Sequence, residues 1–240
     1  MKIPHETIFR IAGAPRRPLL FAFYADCHGV FDHVTASHGK ADAIFLLGDQ
    51  TPEATGKTLE EALGRQAAAK TFWILGNHDG ERSGSYLAHE SMADRDIHAR
   101  VVDVQGVRVA GLGGVFRGRV WMPGKVEPKA NSRAELLATN EGRWRGRLPA
   151  WCQTTIFPED FVALAGQQAD ILITHEAPES HMHGFREIGD LARAMGVNII
   201  LHGHHHSPIY RAEIEGEITV FGVGLMGVRR VKIQGERDKI

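Results

Sequence analysis

Six short apolar runs punctuate the chain: LLFAFYA at 19–25, AIFLLG at 43–48, TFWILG at 71–76, RVAGLGG at 108–114, DILIT at 170–174 and NIILHG at 198–203. Each is continuous rather than alternating, the pattern of strands covered on both faces, and each is bounded by glycine or polar turns. Apolar positions at helical spacing predict a helix over residues 53–70. A second opens at Pro158 and runs through EDFVALAGQQ, with proline and acids in its first turn. A third, residues 186–195, is ended by Gly196. Residues 209–224, IYRAEIEGEITVFGVG, read as two strands joined by a Glu-Gly turn. Strands alternating with helices, and paired strands in the middle and at the end, predict a layered α/β protein with one mixed sheet or two.

Residues 112–155 interrupt this rhythm with Gly, Pro, Arg and Trp in GGVFRGRVWMPGK and EGRWRGRLPAW. They carry no repeat and no low-complexity linker, so they read as an insertion over one edge of a single domain spanning 1–240. That length suits one α/β domain with a substantial core. Net charge is -1, from 28 basic and 29 acidic residues. No global field therefore draws the chain to nucleic acid or an anionic membrane. The two cysteines, Cys27 and Cys152, show no pairing pattern and fit a reducing compartment. No segment approaches the ~20 apolar residues of a membrane span, and the first residues lack a signal-peptide core. The expectation is a cytoplasmic protein.

Polar chemistry gathers where the strands end. The runs deliver Asp26-Cys27-His28-Gly29, Gly48-Asp49, Gly76-Asn77-His78-Asp79, Thr174-His175 and Gly203-His204-His205-His206. One aspartate after a strand is commonly a turn or a cap. Five such ends sit at the sheet edge where α/β proteins form ligand sites, which turn chemistry does not account for. Asp26, His28, Asp49, Asn77, His175, His204 and His206 make a mixed oxygen and nitrogen ligand set. In extended chain, residues i and i+2 share a face, so Asp26 and His28 can converge while Cys27 turns inward, and His204 and His206 can do the same. Seven ligands exceed one tetrahedral zinc and suit two ions that share a carboxylate. Two divalent ions, two aspartates and a bridging hydroxide leave a net charge of about +1, suited to a phosphate ester.

The ordered blocks D-x-H (Asp26, His28), G-D (Asp49), G-N-H-D (Asn77, His78), a strand-end His175 and G-H-x-H (His204, His206) resemble the calcineurin-like metallophosphoesterase superfamily. They span residues 26–206. The resemblance implies a four-layer α/β/β/α sandwich with two mixed β-sheets and a dinuclear site at their edge. It implies that Asp26, His28, Asp49 and His206 bind one metal, that Asp49 bridges, and that Asn77, His175 and His204 bind the other. His78 is then not a ligand: it serves the departing ester oxygen as hydrogen-bond or proton donor, or stabilises transition-state charge. Asp79 either orients His78 or builds the turn. His202 and His205 fall behind the ligands or at the surface.

The sequence departs from the protein Ser/Thr phosphatases of that superfamily, which carry an arginine after G-D and a glutamate after G-N-H. Here the chain reads GDQTPE and GNHDG. Substrate grip must come from elsewhere. Residues 112–150 hold Arg117, Arg119, Lys125, Lys129, Arg133, Arg143, Arg145 and Arg147, with Trp121, Trp144 and, just beyond, Trp151. This reads either as a lid that binds phosphate and stacks a base, or as a packed insertion. Arg117, just after a strand and the Gly113-Gly114 pair, is the candidate substrate-binding residue. His181 and His183 repeat the H-x-H spacing as candidate cleft residues or plain loop histidines. The function expected is hydrolysis of a small phosphomonoester or phosphodiester by a metal-bridging hydroxide attacking phosphorus. The alternative is a nuclease acting on nucleic-acid ends, favoured by the basic insertion and disfavoured by the near-zero charge. A non-catalytic scaffold is a remote third, since no ligand has been lost. The cofactors are two divalent ions among Mn, Fe, Zn, Ni and Co.

Overall fold

The computed structural model describes residues 7–81, 86–125, 127–139 and 148–235. His5, Glu141, Arg143, Trp144, Arg145 and Arg147 lie outside the described residues. Eleven strands among them form two sheets. The first contains β1 (Thr7–Arg10), β2 (Leu19–Ala25), β3 (Ala43–Leu47), β4 (Thr71–Ile74) and β11 (Gly227–Gln234), in the order β1-β11-β2-β3-β4. The second contains β5 (Arg100–Val104), β6 (Val107–Leu112), β7 (Ile171–Thr174), β8 (Ile199–His202), β9 (Tyr210–Ile214) and β10 (Ile218–Gly222), in the order β5-β6-β7-β8-β10-β9. Both sheets are mixed. The triplets β2-β3-β4 and β6-β7-β8 are parallel, so each sends its C-terminal ends to one edge.

Alternation along each strand builds the layers. Phe21, Phe23 and Phe45 point between the sheets and meet Ile171, Ile173, Leu201 and Phe221 in one apolar layer. Phe23 and Phe45 stack at 5.0 Å. Their neighbours Tyr24, Ile44 and Leu46 face outward onto Val34 of α1 (Asp32–Ser37), Leu59 and Leu63 of α2 (Leu59–Leu63) and Ala67 of α3 (Arg65–Ala68). On the far side, Leu172, Ile200 and Val220 carry Leu164 of α5 (Pro158–Ala165) and Ile188 and Leu191 of α6 (Arg186–Ala194). The result is helices, sheet, sheet, helices, in two mixed sheets, as expected. Among the described residues no helix is long and apolar enough to cross a membrane.

The single helix expected over 53–70 is broken. A 3-10 turn at Pro52–Thr55 ends at Gly56 (φ 72°), and Gly64 (φ 73°) separates α2 from α3. Thr58 starts α2 with a reciprocal capping box to Glu61. Leu59, Leu63 and Ala67 are nonetheless all buried, so the apolar period marked the right face of an interrupted helix. Three strands, β1, β5 and β11, gave no continuous apolar run, because much of their surface stays partly exposed.

The 112–155 segment has its own packing. Val120, Ala130, Leu136, Cys152 and Phe157 form a small cluster over α4 (Arg133–Ala138). Trp121 sits edge-on to Phe116 and Phe161 at 5.1 Å, a packing role rather than an open stacking surface. Arg133, one of the basic residues there, is a clamp. It donates to Asp160 at 2.6 and 3.2 Å and to Glu159 at 3.0 Å, and lies over the Phe157 ring. Asp160 also accepts from the Phe157 backbone N–H, starting α5. Burial alone would raise the Asp160 carboxyl, but His98 and Arg133 overturn this and hold it at about 2. A depressed carboxylate adds stability above the ordinary carboxylate range and loses it as pH falls toward 2. Asp160→Asn should therefore lower unfolding free energy by about 2 kcal/mol at pH 7. Denaturant titrations at pH 7 and pH 3 should show that deficit shrinking at the lower pH.

Candidate metal centre

The C-terminal ends of β2, β3, β4, β7 and β8 meet at the edge shared by the two sheets. Two groups of ligand atoms form there: Asp26, His28, Asp49 and His206, and Asp49, His175 and His204, with atoms within 4.8 Å of one another in each. Asp49 belongs to both. Its Oδ1 accepts from the His78 backbone N–H at 2.8 Å. Its Oδ2 is buried and meets no hydrogen-bond donor, although His175 Nε2 lies 3.4 Å away and His28 Nε2 and His78 Nε2 lie 4.0 Å away. An orphaned carboxylate oxygen costs free energy unless something positive faces it. That oxygen, ringed by imidazole nitrogens, fits a shared divalent cation. Asn77 completes the second group, its Oδ1 3.1 Å from His175 Nε2. His28 and His206 approach to 3.2 Å through their Nε2 atoms, the separation of two ligands aimed at one point.

Contacts behind the ligands set their orientation. His175 Nδ1 donates to Leu47 O at 2.7 Å, which leaves Nε2 free as a donor to metal. The Asp26 carboxylate accepts from His204 N–H at 3.1 Å. Electrostatics follow from crowding. Burial, reinforced by Asp49 and Asp79 and opposed by His175, lifts Asp26 to about 7. Burial would also raise Asp49, but His175 outweighs it and holds Asp49 below the carboxylate range. His175 itself, which burial would lower, is held up at about 9 by Asp49 and Asp26. Burial and the neighbouring His175 bring His204 down to about 4. Each of these shifts has the same cause, the crowding of two carboxylates and several imidazoles into one buried place.

The backbone explanation for convergence differs from the expected one. Asp26 and His28 are not extended; their φ values are 51° and 43°, and Asp49, His204 and His206 follow at 54°, 73° and 51°. Five of the seven candidate ligands therefore sit in the left-handed region, a cost borne where surrounding structure dictates the geometry. Cys27 does turn inward and is buried, and His205 turns aside. The motif glycines answer to space. A Cβ on Gly76 would lie 2.3 Å from Asp49 Oδ1 and 2.5 Å from His175 Cε1, and one on Gly48 2.3 Å from His175 Nδ1.

Asp79 does not touch the His78 ring, which corrects one of its two expected roles. It is fully buried and accepts from Asp49 N, Gly76 N and Thr51 N, each at 2.8 Å, tying the loops after β3 and β4 together. The partner of His78 is Glu81, whose Oε1 lies 2.9 Å from Nδ1. Sequence reasoning missed it because a glutamate three residues on, in a 3-10 turn, looks like solvated surface. It also missed Glu176, buried beside the ligand His175, with Oε1 on Phe116 N–H and Oε2 3.9 Å from His204 Nε2. Burial pushes Glu176 up to about 7. Arg117 is half-buried; it donates to Thr154 Oγ1 at 3.3 Å, while its Nε is buried with no acceptor among the described residues. His181 and His183 stand next to His205.

The fold and this cage define a class. The profile of the calcineurin-like phosphoesterases matches residues 19–208, and the chain belongs to that family of metal-dependent phosphoesterases. It is 38% identical over 211 residues to an uncharacterized protein of Haemophilus influenzae, covering 85% of this chain and 91% of that one. In fold it is similar to the protein TT1561 of Thermus thermophilus, with TM-score 0.53 and 20% identity over 88% of this chain and 91% of the other. It is likewise similar to the phosphopantetheinyl hydrolase PptH of Mycobacterium tuberculosis, with TM-score 0.52 and 15% identity over 92% and 97% of the two chains.

Because Gly76 keeps ordinary backbone angles, only space forbids a side chain there. Gly76→Ala should displace the Asp49 carboxylate and weaken Mn2+ binding by at least about tenfold. Isothermal titration of metal-stripped protein measures this, with circular dichroism confirming that the fold survives.

Proposed function

We propose that this chain is a dinuclear metal-dependent hydrolase of a small phosphomonoester or phosphodiester. The observation that carries the reading is the buried Asp49 Oδ2, without a hydrogen-bond partner, on the one residue that belongs to both ligand groups. Asp26, His28, Asp49 and His206 would hold one cation, and Asp49, Asn77, His175 and His204 the other. A cation pair bound there supplies a nucleophile from water at neutral pH and positive charge for the phosphoryl oxygens.

The chain's own residues do the rest. Asn77 ligates without charge, so the cage keeps the positive surplus that an ester dianion or monoanion needs. His78, 40% exposed at its side chain, opens to solvent with Nε2 turned toward the cage. Glu81 accepts from Nδ1–H and fixes the ring, leaving Nε2 to serve the departing ester oxygen. The partnerless Nε of Arg117 suits a phosphoryl oxygen, and Thr154 steadies the guanidinium from behind. With Arg133 held by acids and Trp121 partly buried against Phe116 and Phe161, the described part of the 112–155 segment offers less to a nucleic-acid strand than its composition suggested.

Full-length protein loaded with Mn2+, Ni2+ or Zn2+ should hydrolyse p-nitrophenyl phosphate or its bis ester, and Asp49→Ala should abolish both turnover and metal content. His78→Ala should retain both cations by elemental analysis, yet lose about 10²–10⁴-fold in kcat. The loss should be larger on esters with poor leaving groups. A near-full rate for His78→Ala on an alkyl phosphate would remove His78 from the reaction.

A further inference from the structure

A second set of rings adjoins the cage and takes no part in it. From His175 the contacts run through His204 (centroids 4.9 Å apart) to His205 (4.8 Å), then to His181, stacked on His205 at 4.0 Å and 19°. His183 follows at 5.7 Å from His181. The loop presenting His181 and His183 is closed by its own backbone hydrogen bonds. His181 N–H donates to Pro178 O, Gly184 N–H to His181 O and Phe185 N–H to Ala177 O, at 2.9–3.0 Å. Gly184 is required there, since a Cβ would meet Pro178 O at 1.8 Å. Behind the stack, His202 Nδ1 donates to Gly203 O and its Nε2 accepts from Tyr210 OH, and the Tyr210 ring lies 6.0 Å from His181 at 28°, so this pair backs the shelf with its polar atoms satisfied.

Three features suggest a ligand. His181 Nδ1 accepts the His183 backbone N–H at 3.2 Å, which places the ring proton on Nε2 as a donor. His205 Nε2 is buried with no partner among the described residues. Met182, between the two histidines, is 86% exposed, beside exposed His183 and half-exposed His181. The rings do not make a third metal cage: the described ligand groups are the two at Asp49, and His181 and His205 lie face to face rather than aimed at one point. The shelf also lies away from His78, which joins the ring network at its other end, through His28 at 5.3 Å.

We infer that His181, His183 and His205 form a subsite that stacks a planar aromatic group carried by the phosphoester. Resting on the phosphoesterase reading above, this makes the substrate an aryl or nucleobase-bearing ester, with the phosphoryl group in the cage and the flat ring along the imidazole shelf.

The test uses the Mn2+-loaded full chain and matched esters: AMP against ribose 5-phosphate, and phenyl phosphate against methyl phosphate. Wild type should favour the aromatic member of at least one pair in KM, and that pair names the source. The double variant His181→Ala/His183→Ala should erode the preference by about fivefold or more, and His181→Phe should keep it. The imidazole ¹⁵N shifts of His181 and His183 should move with adenosine or phenol and stay still with ribose or methanol. A KM ratio near one in wild type, or one the double variant leaves unmoved, overturns the subsite. If no ester is hydrolysed with any metal, the phosphoesterase reading fails, and the ¹⁵N titration still decides the shelf.

Discussion

A carboxylate buried between two sheets, with one oxygen held by a backbone N–H and the other facing only imidazoles, sets the terms for the whole edge of this molecule. Asp49 reaches that position because β3 ends at Gly48, whose missing side chain admits the His175 ring. Asp79 then fixes the Asp49 backbone from below. These contacts together hold the one carboxylate that belongs to both ligand groups. The electrostatics follow from the same crowding: burial lifts Asp26, His175 holds Asp49 below the carboxylate range against burial, and Asp49 and Asp26 hold His175 up.

Much of this was legible in the residues. Asp26, His28, Asp49, Asn77, His175, His204 and His206 follow strand ends, and the structure brings those ends to one edge. The two-sheet architecture came from the resemblance, whereas the apolar runs alone left one sheet or two. What the pattern could not supply were contacts made by turns. Glu81 meets His78 through a 3-10 turn, and Asp79, beside His78 in sequence, points away toward three backbone amides. Adjacent residues on a tight turn diverge, so nearness in sequence was the wrong guide there.

The basic segment shows a similar limit. Counting arginines and tryptophans in 112–155 suggested a surface for phosphate or bases, yet Arg133 answers to Asp160 and Glu159, and Trp121 fills space beside Phe116. Among the described arginines of that segment, Arg117 alone keeps a buried donor unmatched. The aromatic surface that does border the ligands is made of histidines on a loop closed by its own amides. Such a surface is hard to see in sequence, because histidine reads first as a ligand or a titrating group.

The hydrogen bond from His175 to Leu47 O crosses from one sheet to the other. Each sheet contributes its own share of the ligands, and Phe45 and Phe221 are among the side chains that fill the gap between them. The spacing of the two ligand groups is consequently set by how the sheets slide across a greasy interface, at a distance from the groups themselves. Exchanging one buried aromatic for another would therefore shift one ligand group against the other while leaving every residue of both untouched.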